Sequence, residues 1–350
     1  MTKRKNVIAG FDIGGAHLKV ARVQDGRVIE ATTIGAPLWQ GLDNLHAAFR
    51  RAAPLYAGAE LCAFTMTGEL SEAFPSRDVG VATLLHQIAE RFPSVEKKIY
   101  TTRSGLVEID HAASAPVEVG SANWHATATL VAKLKGTALF VDMGSTTTDL
   151  IAVADGKVAN IGYTDAERLQ SGELVYAGFV RSFPFAFTSR APVRGKFSPL
   201  MNEYFATMAD VHRVLGVLQE RDDQHRTADG KEKTLPASIT RLARLLGRDA
   251  ADLPESEWRH VAAWFSEQQL RIIHDAAFLV SGVLADSAPV VGAGIGRWQI
   301  ARLAERLGRD FIDLADAIPA TAEARIDASD AAPAAAVALL AAYDTGTAAR

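Results

Sequence analysis

The chain of 350 residues is long enough for two hydrophobic cores, and 48% hydrophobic with 22% charged residues excludes extensive disorder. A formal charge of -4 gives no general drive toward nucleic acid or an anionic membrane, so small-molecule partners are expected. One cysteine, Cys62, excludes an intrachain disulfide and a Cys-rich zinc site, and reads as a small buried apolar residue in a reducing compartment.

The basic Thr2 to Lys5 start meets Asp12 and two glycines at once, unlike a secretory signal, and no apolar run of about 18 residues suggests a membrane span, so a cytoplasmic location is expected. Gly10 to Lys19 carries the run Gly-Phe-Asp-Ile-Gly-Gly-Ala-His-Leu-Lys, a strand followed by a glycine turn; Asp25-Gly26 then sits between apolar runs as a type I′ hairpin signal. Leu42 to Tyr56 has helical spacing, and Leu61 to Thr67 reads as a strand. At its end Thr65 to Glu69 occupies the position where open α/β sheets place ligand-contacting groups, or forms a polar turn. Val79 to Phe92 is helical, Lys98 to Thr101 a strand, Gly105 to Ala115 irregular or extended, and Trp124 to Lys133 helical, with Ser121 or Asn123 expected to cap it rather than to meet substrate.

A strand at Thr137 to Val141 leads into Phe140 to Asp149, the run Phe-Val-Asp-Met-Gly-Ser-Thr-Thr-Thr-Asp, with Asp155-Gly156 after it. Gly172 to Tyr176 precedes a loop with Arg181, Arg190, Arg194 and Lys196, whose charge is solvated by default and could otherwise meet an anionic substrate. Leu200 to Leu218, Ser238 to Leu246 and Trp258 to Leu284 read as helices; Arg221 to Thr234 reads as an exposed, mobile connection. Asp210 and His212, two apart on one helix, make a poor metal pair and are expected to be structural. A strand at Ala288 to Val291 enters Gly292, Gly294 and Gly296 before a helix from Trp298 to Leu307, a nucleotide-type arrangement whose spacing is not the dinucleotide fingerprint. Phe311 to Leu314 is the last strand, and Ser329 to Tyr343 a buried or interface helix with seven frayed residues after it.

The two glycine-turn runs are copies. Asp12 and Asp142 are each followed thirteen residues later by an Asp-Gly pair, at an offset of 130 residues. Asp12, Asp142 and Gly292 thus head two phosphate-type hairpins and a glycine loop, which resemble in order the phosphate-1, phosphate-2 and adenosine motifs of the acetate and sugar kinase, heat-shock chaperone and actin superfamily. The implied fold is α/β: a duplicated, two-lobed actin-like (ribonuclease H-like) ATPase fold holding its ligand in a cleft. Its expected parts are a first lobe over 1–135, a second over 136–330 with a helical insertion at about 165–285, and a C-terminal helix at 329–345. Ser121 to Trp124, Gly172 to Tyr176, Asn202 to Val211 and Thr227 to Gly230, with the two hairpins, resemble the hydantoinase/oxoprolinase branch, and within it the tetrahydromethanopterin-linked C1-transfer pathway proteins, that is, the aminomethylfuran-phenoxymethyl ether synthases.

That resemblance implies a transferase of methanofuran or methylofuran biosynthesis, which couples an aminomethylfuran-methyl diphosphate to a tyrosine- or tyramine-derived phenol and releases diphosphate. The implied phosphate grip is Gly14, Gly15, Ala16 and His17 with Gly144, Ser145, Thr146 and Thr147, and Gly292, Gly294 and Gly296 form the adenosine-type loop. Asp12 and Asp142 are the expected Mg²⁺ holders, with ATP or ADP as ligand in a kinase-like alternative. Asp149 or Glu69 is the expected group that orients or deprotonates the phenol, and Lys19 adds cationic stabilisation. Glu173, Arg181, Arg190, Arg194 and Asn123 are substrate-side candidates. The competing readings are a small-molecule kinase, an ATP-dependent amide or hydantoin hydrolase, and a non-enzymatic nucleotide switch; a homo-oligomer stays open.

Overall fold

The computed structural model describes residues 6–347; the basic Thr2 to Lys5 stretch and the last three residues lie outside them. The first sheet contains β1 (Val7–Ile13), β2 (His17–Gln24), β3 (Arg27–Gly35), β4 (Leu61–Met66), β5 (Glu96–Thr101) and β6 (Gly105–Val107) in the order β3-β2-β1-β4-β5-β6. β1 pairs antiparallel with β2 and parallel with β4. The second sheet runs β10-β8-β7-β13-β14, with β9 on β8, from β7 (Ala138–Met143), β8 (Thr148–Ala154), β9 (Lys157–Val158), β10 (Leu174–Val175), β13 (Val290–Ala293) and β14 (Phe311–Asp313). A separate ribbon pairs β11 (Arg190–Val193) with β12 (Lys196–Pro199). The path β2-β1-β4-β5 thus recurs as β8-β7-β13-β14, so the duplication is one of topology as well as sequence.

By packing, one compact unit takes the described residues of 1–140, 151–168 and 312–350, and a second takes 141–150 and 169–311. In the first unit, alternation along β1 divides its side chains between two layers. Ala9, Phe11 and Ile13 enter a core with α1 (Asp43–Tyr56) and α2 (Arg77–Arg91), where Phe11 stacks on Phe64 at 4.7 Å between ring centres. Cys62 lies in this core, and burial pushes its thiol up to about 12, so it is an inert packing group. The opposite face of β1 meets α13 (Ala332–Asp344), whose alanine-rich surface is buried nearly all round. A side chain at Gly10 would strike the Ala334 carbonyl at 2.0 Å, so glycine there sets the strand-to-helix approach.

Short elements complete this unit. α3 (Ile109–Ser114) and α4 (Pro116–Val119) follow β6, so of the stretch expected to be irregular or extended the start is a strand, while the rest is helical. α5 (Asn123–Lys135) packs on α13, α6 (Asp165–Ser171) begins in this unit, and α11 (Leu314–Ala317) and α12 (Arg325–Asp330) precede α13. Thr345 and Thr347 bond back to the Ala341 and Ala342 carbonyls, so the expected fraying does not begin at Asp344.

In the second unit α7 (Met208–Leu215), α8 (Leu235–Leu245), α9 (Glu255–Ser281) and the β11–β12 ribbon share a core of Met208, Val211, Leu242, Trp258 and Phe265. α10 (Arg297–Leu307) follows β13. Only the second half of the helix expected over Leu200 to Leu218 forms. Thr207 and Asp210 close a capping box that starts α7 at Met208, and the Met201 amide bonds to the Leu245 carbonyl. The Arg221 to Thr234 connection is pinned, not mobile: Asp223 pairs with Arg213 at 2.8 Å and Asp229 with the buried Arg241 at 3.2 Å. No helix among the described residues is long and apolar enough to cross a membrane.

Candidate active site

Both hairpins fold as their sequences require. Asp25 and Gly26 have φ of 50° and 74°, Asp155 and Gly156 of 51° and 73°, the paired left-handed angles of a type I′ turn. At the glycine turns the Gly14 amide donates to the His17 carbonyl at 2.9 Å, and the Gly144 amide to the Thr147 carbonyl at 3.0 Å. These two amides are therefore engaged inside their own turns. The first turn is braced by the Ala36 and Leu38 amides on the Ala16 and Gly15 carbonyls, and the Thr67 amide bonds to the Ile13 carbonyl.

The copies differ in charge. Asp12 is buried and paired in register with Lys19, whose Nζ lies 3.7 Å from its Oδ2. The 130-residue offset puts Asp149 where the first copy has Lys19, so the second copy carries two carboxylates, the buried Asp142 on β7 and Asp149 on β8. Among the described residues no group of three or more His, Cys, Asp or Glu is arranged to hold a metal ion. Asp142 offers carboxylate oxygens of the kind Mg²⁺ takes, with Asp149 on the neighbouring strand, whereas Asp12 already faces an ammonium.

A segment of which sequence reasoning singled out Arg181 alone clamps the second turn. The Phe179 amide bonds to the Gly144 carbonyl at 2.9 Å, and the Arg181 amide to the Ser145 carbonyl at 2.7 Å. The Thr148 hydroxyl donates to the Ala177 carbonyl at 2.7 Å, and Gln269 on α9 donates to the Gly178 carbonyl at 2.8 Å. A side chain at Gly178 would lie 2.3 Å from the Thr146 backbone, which explains the glycine. The Arg181 guanidinium reaches the Thr146 hydroxyl at 3.3 Å, so of the basic loop this cation is brought to the phosphate-type turn. Arg190 lies 4.1 Å over the Phe197 ring and Arg194 bonds to the Asp252 carbonyl at 3.5 Å. Glu173 is buried and accepts from Ser171, and its carbonyl accepts from Leu150 at 2.9 Å. His212 stacks on Phe179 at 3.9 Å with Nδ1 on the Phe179 carbonyl, and burial pushes it down to about 3, in keeping with a structural role.

The glycine loop after β13 also acts through packing. At Gly294, with φ 79°, a side chain would lie 2.3 Å from Asp142 Oδ1, and at Gly296 2.4 Å from the Met143 side chain. The bare backbone therefore lets this loop press on the Asp142 strand end; the directions a Cβ would take are filled by the protein itself.

In the first unit, Glu69 follows β4 in a short turn that packs on the Ile13–Gly14 backbone. Ser121 is not a helix cap. Its hydroxyl donates to Glu69 Oε1 at 2.9 Å and lies 3.4 Å from Asp165 Oδ2, while Arg77 sits 3.7 Å from that same Oδ2. The α5 N-cap position is Ala122, with no side-chain cap bond; Asn123 Oδ1 accepts from the adjacent Trp124 amide at 2.7 Å. Burial is the largest influence on Glu69 and pushes its carboxyl upward, with the Ser121 hydrogen bond opposing. Ser121 holds φ of 53°, a strained value for a residue with a side chain.

The sequence matches the Hydantoinase/oxoprolinase family model over residues 62–318. It is 30% identical over 272 residues, 77% of this chain and 81% of the relative, to the (gamma-L-glutamylamino)ethyl-phenoxymethyl-furan-2-yl methanamine synthase of Methanocaldococcus jannaschii. A synthase of the same name from Methanococcus vannielii is 37% identical over 125 residues, 35% of this chain and 55% of that relative. Among solved structures, nucleotide-free acetone carboxylase superposes with a TM-score of 0.50 at 13% identity, covering 95% of this chain and 70% of that one. That likeness concerns the fold alone, which is the duplicated actin-like α/β fold. By both the family model and the extent of the archaeal match, the chain belongs to the hydantoinase/oxoprolinase family.

Proposed function

We propose that this protein is a transferase of methylofuran-type cofactor biosynthesis, joining an aminomethylfuran-methyl diphosphate to a tyrosine- or tyramine-derived phenol. The observation that carries this reading is the 30% identity across 81% of a synthase named for a phenoxymethyl furan, an aryl ether of this kind. The bond between the furylmethyl carbon and the diphosphate oxygen breaks, the phenol oxygen bonds to that carbon, and the phenol proton passes to a base. Because the furan ring spreads positive charge from the methylene carbon, departure of diphosphate runs ahead of attack, and the protein's main work is to hold the leaving group.

With the Gly14 and Gly144 amides engaged in their turns, each turn taken by itself has its own anion-binding groups: the Gly15 and Ala16 amides with His17 in the first, and Ser145, Thr146 and Thr147 in the second. Arg181 and Lys19 supply positive charge. A divalent cation such as Mg²⁺ at Asp142 would neutralise charge on the leaving diphosphate. Asp149 is the carboxylate we assign to the phenol proton; Glu69, pushed toward its neutral acid, serves orientation. The Gly292, Gly294 and Gly296 loop supports Asp142, and would border ATP or ADP if the cleft were kinase-like. We place the activity in the cytoplasm, where the free thiol of Cys62 is at home.

Purified protein with Mg²⁺, the furan diphosphate and a panel of phenols should release diphosphate in step with an ether product detected by mass. ATP-dependent phosphorylation of a substrate without ether formation would establish the kinase reading instead.

A further inference from the structure

The chain from Val180 to Phe183 is held in place by two backbone bonds, Ala209 amide to Val180 carbonyl at 3.0 Å and Met208 amide to Ser182 carbonyl at 2.8 Å. Ser182 turns inward, its hydroxyl accepting from the Gly178 amide at 2.7 Å. Phe183 follows Arg181, the residue that touches Thr146, by two positions and leads into the turn at Pro184–Ala186. Phe183 meets Tyr204 edge to face at 5.2 Å and stacks on Phe185 at 5.3 Å. Phe183 remains 37% exposed and Tyr204 51% exposed. Burial is the largest influence on both Tyr204 and His225, and the charge of Arg181 also acts on each, so both lie within its field.

Two partly exposed aromatic side chains within the field of a cation on a phosphate-type turn present apolar surface close to where an anion-bearing substrate would end. Resting on the reaction proposed above, the two substrates differ in how they are held. The furan is tied to the diphosphate through one carbon, so whatever binds the diphosphate also places the furan. The phenol has no such handle and needs a surface of its own. We propose that the exposed faces of Phe183 and Tyr204 form the platform on which the aromatic ring of the phenol acceptor stacks, beside Arg181.

Aromatic pairs favour offset or edge-to-face geometry, as Phe183 already shows toward Phe185 and Tyr204, and the exposed parts of the two rings can meet an incoming ring in the same way. The platform is read by tyramine titration calorimetry on the full chain with Mg²⁺ and inorganic diphosphate present, beside initial rates with both substrates varied. Phe183→Ala and Tyr204→Ala should each weaken tyramine binding about fivefold or more, while Tyr204→Phe, which keeps the ring, stays within about twofold of wild type. In turnover, the phenol KM rises in the alanine variants and the furan diphosphate KM does not. A furan KM that rises instead would assign the platform to the furan, and tyramine binding that is absent in wild type or unchanged in the alanine variants would overturn the proposal. Wild-type protein that makes no ether yet binds tyramine, with binding lost in the alanine variants, would sink the reaction and leave the platform standing. Both side chains are exposed, and thermal unfolding of each variant separates a lost surface from a lost fold.

Discussion

Glu69 concentrates the residue-scale physics of the first unit. Its carboxyl is buried after β4, holds the Ser121 hydroxyl at 2.9 Å, and is pushed above the ordinary carboxylate range chiefly by loss of water. A carboxyl raised in the fold binds its proton more tightly folded than unfolded. Its contribution to stability is therefore complete below the unfolded pKa and is lost as pH rises through the folded pKa. The melting temperature of wild-type protein should carry a downward component as pH rises above the carboxylate range, and Glu69→Gln, which keeps the Ser121 bond without ionising, should flatten it. Thermal melts over a pH series rising from the ordinary carboxylate range check this. Parallel curves for the wild type and the Glu69→Gln variant would show that folding does not raise the Glu69 carboxyl.

At the scale of elements, the decisive structure is the 177–182 segment laid across the second phosphate-type turn. Gly178 approaches the Ser145 and Thr146 backbone so closely that a Cβ would meet it at 2.3 to 2.4 Å, and those are backbone atoms that cannot swing aside. Gly178→Ala should therefore cost about 1–3 kcal/mol in urea unfolding, the usual range for overpacking, and should weaken inorganic diphosphate binding by displacing the turn. Gly15→Ala is the control, because a Cβ there meets nothing within 4 Å and its fold should stay near wild-type stability. Equal loss of stability in both would remove the clamp from the account.

The same element shows what a sequence can and cannot disclose. Asp25-Gly26 and Asp155-Gly156 were legible because a type I′ turn is decided by two adjacent residues. Arg181 could be named as one cation among several, but its selection over Arg190 and Arg194 depends on a bond to Thr146, 35 residues away in the chain. The support from Gln269 to Gly178 spans 91 residues and leaves no local signal. Ser121 misled for the same reason. Its position before α5 imitates a cap, while its partner, Glu69, lies 52 residues upstream. The helix expected from Leu200 onward failed differently: apolar spacing continued through 200–207, but a Thr207–Asp210 box and a tertiary bond to Leu245 set the start at Met208.

On the scale of the whole molecule, duplication gave two hairpins with the same turns and left them with different charge. The first pairs Asp12 with Lys19 at 3.7 Å; at the equivalent offset the second places Asp149. A lysine beside Asp12 disfavours a second cation there, whereas an aspartate at the equivalent place in the second hairpin adds negative charge that favours a divalent cation. Metal affinity should therefore be divided unequally between the copies. Mn²⁺ binding, followed by its paramagnetic signal with inorganic diphosphate present, should weaken about tenfold or more in Asp142→Asn, equivalent to about 1.4 kcal/mol, and much less in Asp12→Asn. Asp149→Asn should fall between, because it removes part of the field without removing the nearest oxygen. If Asp12→Asn abolished Mn²⁺ binding while Asp142→Asn kept it, the cation would belong to the first hairpin, and Lys19 would have to be displaced from Asp12 for the site to form.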